Sequence, residues 1–278
     1  VGRKSSLKAQ HRAARAAEAR AVRAGIDART KRGCLFCRQS DGGFSSQEHV
    51  LPESLGNKDR LLPRGVVCDR CNNGTLSVLD QALCDFMPMK ALRTFAGVPS
   101  KAGRVPVTRL STGLLRRSDS GAVVVEVHNP NDNRTFVEKG REGGRVQIGM
   151  ELQSGSRMTP RYCAKLARAV LKVGLESAWI DHGERMVEHS FDHVRDAVLG
   201  RPRDGFLLVG RRCEGEDPEV SVVYGFARDD DGDERLWVGL KYLGMVLATD
   251  SRLAEPPGAS EEEALVFTFR RSDERGAA

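Results

Sequence analysis

The chain has 278 residues, 40% of them hydrophobic and 29% charged, with a formal net charge of +6 and a pI near 9.0. That length supplies one or two domains with a real apolar core, so disulfides are not needed for folding. No run of eighteen apolar residues occurs, which excludes a membrane-spanning helix. The polar, basic start has no apolar stretch of the kind a secretory signal needs. Seven cysteines without an export signal point to a reducing, cytoplasmic setting, where thiols hold metal or lie buried.

Residues 1–32 form a first unit rich in Ala and Arg. Ten Lys or Arg residues lie between Arg3 and Arg32, against only Glu18 and Asp27, so most of the net charge sits here. Ala and Arg favour helix, and beyond alanine and Val22 there is no apolar stripe, so this helix is expected to project. It reads either as an arm drawn to phosphates or as a solvated tail.

Residues 33–95 form a cysteine-bearing unit. "GCLFCRQS" opens it, "EHVLP" reads as a short strand ended by Pro52, and a polar loop runs from Ser54 to Arg64. "GVVC" reads as a second strand, and "DRCNNGTLSVLDQALCDFM" as a helix with Leu76, Leu79 and Leu83 on one face. "MPMKALRTFAGVPSKAG", with Pro88, Gly97, Pro99 and Gly103, reads as a boundary.

Residues 100–278 read as a third unit. Alternation predicts strands near 105–110, 121–128, 134–138 and 145–152. A helix follows Thr159 and Pro160, with Leu166, Val170, Leu171 and Leu175 on its apolar face and basic residues opposite. A second helix spans about 184–199 and stops at Gly200. Strands near 205–211, 219–227, 235–248 and 264–270 complete an α+β pattern, an antiparallel sheet packed by one or two helices.

Four cysteines carry the chemistry. Cys34 and Cys37, and Cys68 and Cys71, are two CxxC pairs, and a two-residue spacer lets both sulfurs of a pair reach one zinc ion at about 2.3 Å. A redox pair would need a thioredoxin-like strand and helix, and would leave the second pair unexplained. Cys84, Cys163 and Cys213 are isolated and read as core residues. His189 and His193, four apart, lack a third ligand and read as surface residues. "DDDGDE" at 229–234 has its glycine too early for a calcium loop and reads as a hairpin turn. No phosphate-binding glycine loop of the GxxxxGK[ST] type occurs.

The order Cys34-x-x-Cys37, Glu48-His49-Val50-Leu51-Pro52, Cys68-x-x-Cys71-Asn72-Asn73 resembles the zinc-containing branch of the HNH endonuclease family, over roughly residues 33–80. The resemblance implies a treble-clef ββα-metal module with a structural zinc on the four cysteines. It implies that His49 is the general base that takes a proton from water, a task suited to imidazole. It further implies that Glu48 and Asn72, with Asn73 as the alternative to Asn72, hold a catalytic Mg²⁺ or Mn²⁺ through oxygen. Lys58, Arg60, Arg64 and Arg70 are candidate phosphate contacts, or an ordinary solvated loop. The implied substrate is DNA, with RNA open; one site per chain would nick, and a homodimer would serve a double-strand break. Three departures stand out: Glu48 replaces the usual Asp, the middle Asn has no clear match, with Asn57 the nearest candidate for orienting His49, and the helix lacks the Lys often found shortly after the Asn. The first two support a second reading, a non-catalytic treble-clef module that binds nucleic acid or protein. A third places an unrelated enzyme after residue 100.

Overall fold

In this computed structural model the described residues are 2–110, 113–129, 134–139, 159–201, 205–212, 220–228, 234–251 and 265–270. They form an α+β fold. Helix α1 (Gly2–Lys31) is the expected basic helix. It meets the rest of the chain at its C-terminal end, where Arg29 Nε donates to the carbonyl of Arg64 at 2.7 Å. Val22 remains 57% exposed, as a helix without an apolar stripe should leave it.

The cysteine-bearing unit follows. Residues 48–50 and 60–62 run antiparallel through one bridge, His49 to Leu61, flanked by Val50 N–H to Arg60 O and Leu62 N–H to Glu48 O. Regular strands at "EHVLP" and "GVVC" do not form. The partner of "EHVLP" is the end of the loop, and Pro52 and Pro63 stop both limbs because proline has no N–H for a ladder. Next come α2 (Asp69–Cys71), a π turn (Asn72–Leu76) and α3 (Ser77–Asp85). Leu76, Leu79 and Leu83 are buried as the spacing predicted.

The stretch read as a boundary is instead helix α4 (Met87–Ala96), with Pro88 in its first turn and Gly97 closing it in the left-handed conformation. Pro at a helix start and Gly just past its end are start and stop signals, which here bracket a helix. A four-stranded antiparallel sheet, β1 (Thr108–Leu110), β2 (Gly113–Arg117), β3 (Val123–Asn129) and β4 (Arg134–Lys139), follows in sequential order. Strand β2 was not predicted. The sheet packs on α4 through Leu115 and Val125 against Ala91. The strand expected near 145–152 lies outside the described residues.

Helix α5 (Pro160–His182) starts with Thr159, whose hydroxyl accepts from Tyr162 N–H at 3.2 Å. The second predicted helix is shorter than expected: 3₁₀ turns precede α6 (Asp192–Leu199), which Gly200 ends. Strands β5 (Gly205–Arg212), β6 (Val220–Arg228), β7 (Glu234–Tyr242), β8 (Met245–Asp250) and β9 (Leu265–Arg270) form an antiparallel sheet in the order β6-β7-β8-β5-β9. The stretch 235–248 splits into β7 and β8 because Leu243 and Gly244 both take positive φ, 49° and 87°, a two-residue hairpin turn. Strands β6 and β7 pair from Arg228–Glu234 onward; residues 229–233, where a hairpin turn was expected, lie outside the described residues.

Helix α5 is the centre of the molecule. Leu236, Val238, Leu240 and Tyr242 alternate on the buried face of β7 and join α5, α3 and the cysteine-bearing unit in one continuous core. Gly174 permits the close approach of α5 to the sheet: a Cβ there would lie 2.1 Å from Val238 Cγ2. Among the described residues no helix is long and apolar enough to cross a membrane.

Candidate metal centre and nuclease site

The four predicted cysteines converge. The Sγ atoms of Cys34, Cys37, Cys68 and Cys71 all lie within 4.8 Å of one another, and Cys37 Sγ is 3.6 Å from Cys68 Sγ. A tetrahedron with Zn–S bonds of about 2.3 Å has edges of about 3.8 Å, so the donor set fits zinc in number, softness and spacing. Backbone N–H groups point at the sulfurs: Phe36 and Cys68 to Cys34 Sγ, and Cys71 to Cys68 Sγ, each at 3.4 Å. Gly33, at φ 84°, closes the first knuckle, because a Cβ there would lie 2.3 Å from the carbonyl oxygen of Arg38.

The thiols titrate as a group. A hydrogen bond with Cys71 leads the causes that lower Cys34 to about 5, against the opposing pull of burial. Burial pushes Cys68 up to about 11, and its hydrogen bond with Cys34 raises Cys71. A tetrathiolate forms only with the cation that neutralises it.

A second set of bonds fixes the loop behind the knuckles. Asp69 Oδ2 accepts from Ser45 N–H at 3.1 Å and Ser45 Oγ at 2.8 Å, and Oδ1 accepts from Ser46 N–H at 2.8 Å and from the Ser46 hydroxyl. Burial would raise this carboxyl, but the bonds from Ser46 and Ser45 outweigh it and hold it at about 2.

The expected catalytic residues have different surroundings. His49 is half-buried at the bridge, with Nδ1 enclosed and without a partner. Asn72 opens the π turn and its amide donates to Ser46 Oγ at 3.2 Å, while Asn73 is exposed. Glu48 turns inward with its side chain 2% exposed, and Oε1 lies 2.6 Å from Lys172 Nζ on α5, close but not aligned as a hydrogen bond. No hydrogen bond or ion pair joins Glu48 to Asn72 among the described residues. The oxygen donors for a hard ion are thus of the right chemistry but not free in the expected pair, so no step is built on an ion at Glu48.

Asn57 answers the missing middle Asn by a different route. Its Nδ2 donates to the carbonyls of Leu51 at 2.8 Å and Arg60 at 3.0 Å, and its Oδ1 accepts from Arg60 N–H at 3.0 Å. It therefore clamps both ends of the loop that carries His49 rather than touching the imidazole. Lys58, Arg60, Arg64 and Arg70 are all exposed; Arg70 lies 3.5 Å from Asp41.

Sequence reasoning missed Lys172, Asp80 and Glu176. Lys172 Nζ donates to Asp80 Oδ1 at 2.8 Å and to the His49 carbonyl at 2.9 Å, with Glu176 Oε2 at 3.4 Å. Burial opposes the charge on Lys172, but the three carboxylates raise its pKa and keep it an ammonium. Burial raises Glu48, Asp80 and Glu176 in turn, and Lys172 draws each of them back down; Glu176 is fully buried and lies farthest from Nζ. The available signal was a Lys–Glu pair four apart inside the apolar stretch of α5, since charged residues there need partners.

This arrangement, two knuckles on one metal, a His-bearing hairpin and a helix opening on Cys71-Asn72, decides the comparison. Residues 34–85 match the HNH endonuclease family. The match spans 52 of 278 residues. Comparisons with curated proteins and with solved structures give no significant match. The HNH module makes a nuclease-type function and a nucleic-acid substrate the coarse reading of this chain. His189 and His193, by contrast, serve separate partners: His189 Nδ1 meets Asp192 at 2.8 Å, and His193 Nε2 meets Ser251 Oγ at 3.0 Å. Cys163 is buried and Cys84 partly so; Cys213 lies outside the described residues.

Proposed function

We propose that the chain is an HNH-type endonuclease that hydrolyses phosphodiester bonds in DNA, with His49 taking the proton of the attacking water. The observation that carries this reading is the coincidence of the family match with a four-thiol centre that shares one buried cluster with the His49 hairpin. Zinc on Cys34, Cys37, Cys68 and Cys71 supplies a rigid base and no chemistry, since its shell is full. The enclosed Nδ1 leaves Nε2 of His49 for the water. Asn72 and Asn73 at the π turn are the oxygen donors offered to a divalent ion, which when bound would stabilise charge on the phosphate. Lys58, Arg60, Arg64 and Arg70, with the basic helix α1, would neutralise the backbone of the bound strand. One site per chain makes a nick the product.

The test is cleavage of supercoiled plasmid with Mg²⁺ or Mn²⁺, wild type beside His49→Ala, with zinc quantified in both. Wild type should open the circle, and His49→Ala should be slower by about 10²-fold or more, each protein holding one zinc. The Glu48–Lys172 ion pair favours one competing reading, a finger that binds without cutting. Equal, zinc-loaded binding by both proteins with no cleavage by either establishes that reading instead.

A further inference from the structure

The centre of the molecule holds a charge cluster that the nuclease reading does not by itself explain. Lys172 Nζ is entirely removed from solvent, 2.6 Å from Glu48 Oε1, 2.8 Å from Asp80 Oδ1 and 2.9 Å from the carbonyl oxygen of His49. An ammonium has three N–H groups and no acceptor; Asp80 and the His49 carbonyl take two of them as hydrogen bonds, and Glu48 Oε1 lies at ion-pair distance. Glu176 Oε2 stands outside that set at 3.4 Å. Stability alone is a poor reason for such a cluster, because well-packed apolar residues in place of a buried ion pair are commonly neutral or stabilising. Placement offers a better one. Two of the three contacts fall on adjacent residues of the His49 hairpin, and the third, Asp80, lies on the helix that follows Asn72. Burial raises the Asp80 carboxyl and Lys172 draws it down.

The hairpin needs this support. It is held by one bridge, two flanking hydrogen bonds and the Asn57 clamp. None of these reaches the carbonyl of His49. Lys172 does, from a helix 123 residues away in sequence.

We propose that Lys172 is a positioning residue of the nuclease site: α5 completes the site by fixing the His49 carbonyl, Glu48 and Asp80 from beneath. This rests on the assignment of His49 as the base, and the HNH module then works only on its own C-terminal segment.

The test uses the full chain. Lys172→Met leaves three buried carboxyl groups without their cation, so Lys172→Met/Glu176→Leu, which removes the most deeply buried of them, is made beside it, with Lys172→Arg and Glu176→Leu as companions. The double variant should hold one zinc and bind plasmid with KM within about threefold. Its kcat should fall about 10²-fold, the cost of displacing a reacting group by about an ångström. Lys172→Arg should recover at least about a tenth of that loss through its retained charge, and Glu176→Leu alone should cut like wild type. In hydrogen exchange, the amides of Val50 and Leu62 should lose protection about 10²-fold in the double variant, while that of Leu35 in the first knuckle keeps it. An unchanged kcat in a folded double variant overturns the proposal. If wild type itself cuts nothing, the nuclease reading fails, and exchange still decides: unaltered protection of Val50 and Leu62 overturns the positioning role, and loss confined to them sustains it.

Discussion

Single side chains hold this fold at its turns. Asp192 uses both oxygens: Oδ1 accepts from Arg195 Nε at 2.9 Å and Nη2 at 2.6 Å, and Oδ2 meets His189 Nδ1 at 2.8 Å. Arg195, 1% exposed, donates two further N–H groups to the carbonyls of Met186 and Glu188. Burial would raise the Asp192 carboxyl, but the bonds from His189 and Arg195 lower it. A folded pKa below the unfolded value of about 3.9 means stability that is present above that pH and lost as pH falls through the lowered value. Asp192→Asn should therefore cost about 1 kcal/mol near neutrality, since the side chain is half in water. In denaturant titrations the gap from wild type should close below about pH 4.

Also at this scale, Asn57 shows how far a residue's part could be read in advance. A loop Asn after "PESLG" announces a turn, but no spacing rule says which carbonyls it will reach. Leu51 and Arg60 come into range only once the bridge forms. Lys172 was less legible still, because its neighbours Arg161 and Lys165 on the same helix face mark that face as polar.

At the element scale, α5 is buried on all sides from Ala169 to Ala178. The apolar face expected from Leu166, Val170, Leu171 and Leu175 is there, and the opposite face is covered as well, by α3 and the hairpin. Tyr162 OH donates to Ala82 O at 3.1 Å along the same contact. Gly174 sets the depth of α5 against β7. Gly174→Ala should push the helix off Val238 and cost about 1–3 kcal/mol through overpacking, read as a lower midpoint in thermal or urea unfolding. An unaffected midpoint would mean that α5 and β7 can separate without loss. Helix α4 teaches the opposite lesson: its punctuation was visible, but Pro88 and Gly97 were weighed as breakers when they are a start and a stop.

On the scale of the whole molecule, the zinc centre and the core are one system. Cys34, Cys68 and Cys71 belong to the same buried cluster as Leu171, Val238 and Leu247. Removing zinc with a chelator should therefore lower the unfolding temperature of the entire chain and not only loosen the knuckles. Binding must displace protons from thiols such as Cys68, pushed up to about 11 by burial. Zinc affinity should accordingly fall as pH falls, in competition with a colorimetric chelator. A chain that keeps its melting temperature after zinc is stripped would show that the core stands without the metal.

The spacing of the cysteines, the Glu48-His49 pair and the alternation of the strands were enough to determine a four-thiol metal site, an HNH resemblance and an antiparallel α+β plan, because each depends on neighbours along the chain. Only the tertiary structure decided that Glu48 faces Lys172 and that α5 carries the His49 hairpin. Those facts depend on which surface covers the polar face of α5, and periodicity reports a helix's faces without saying what will lie against them.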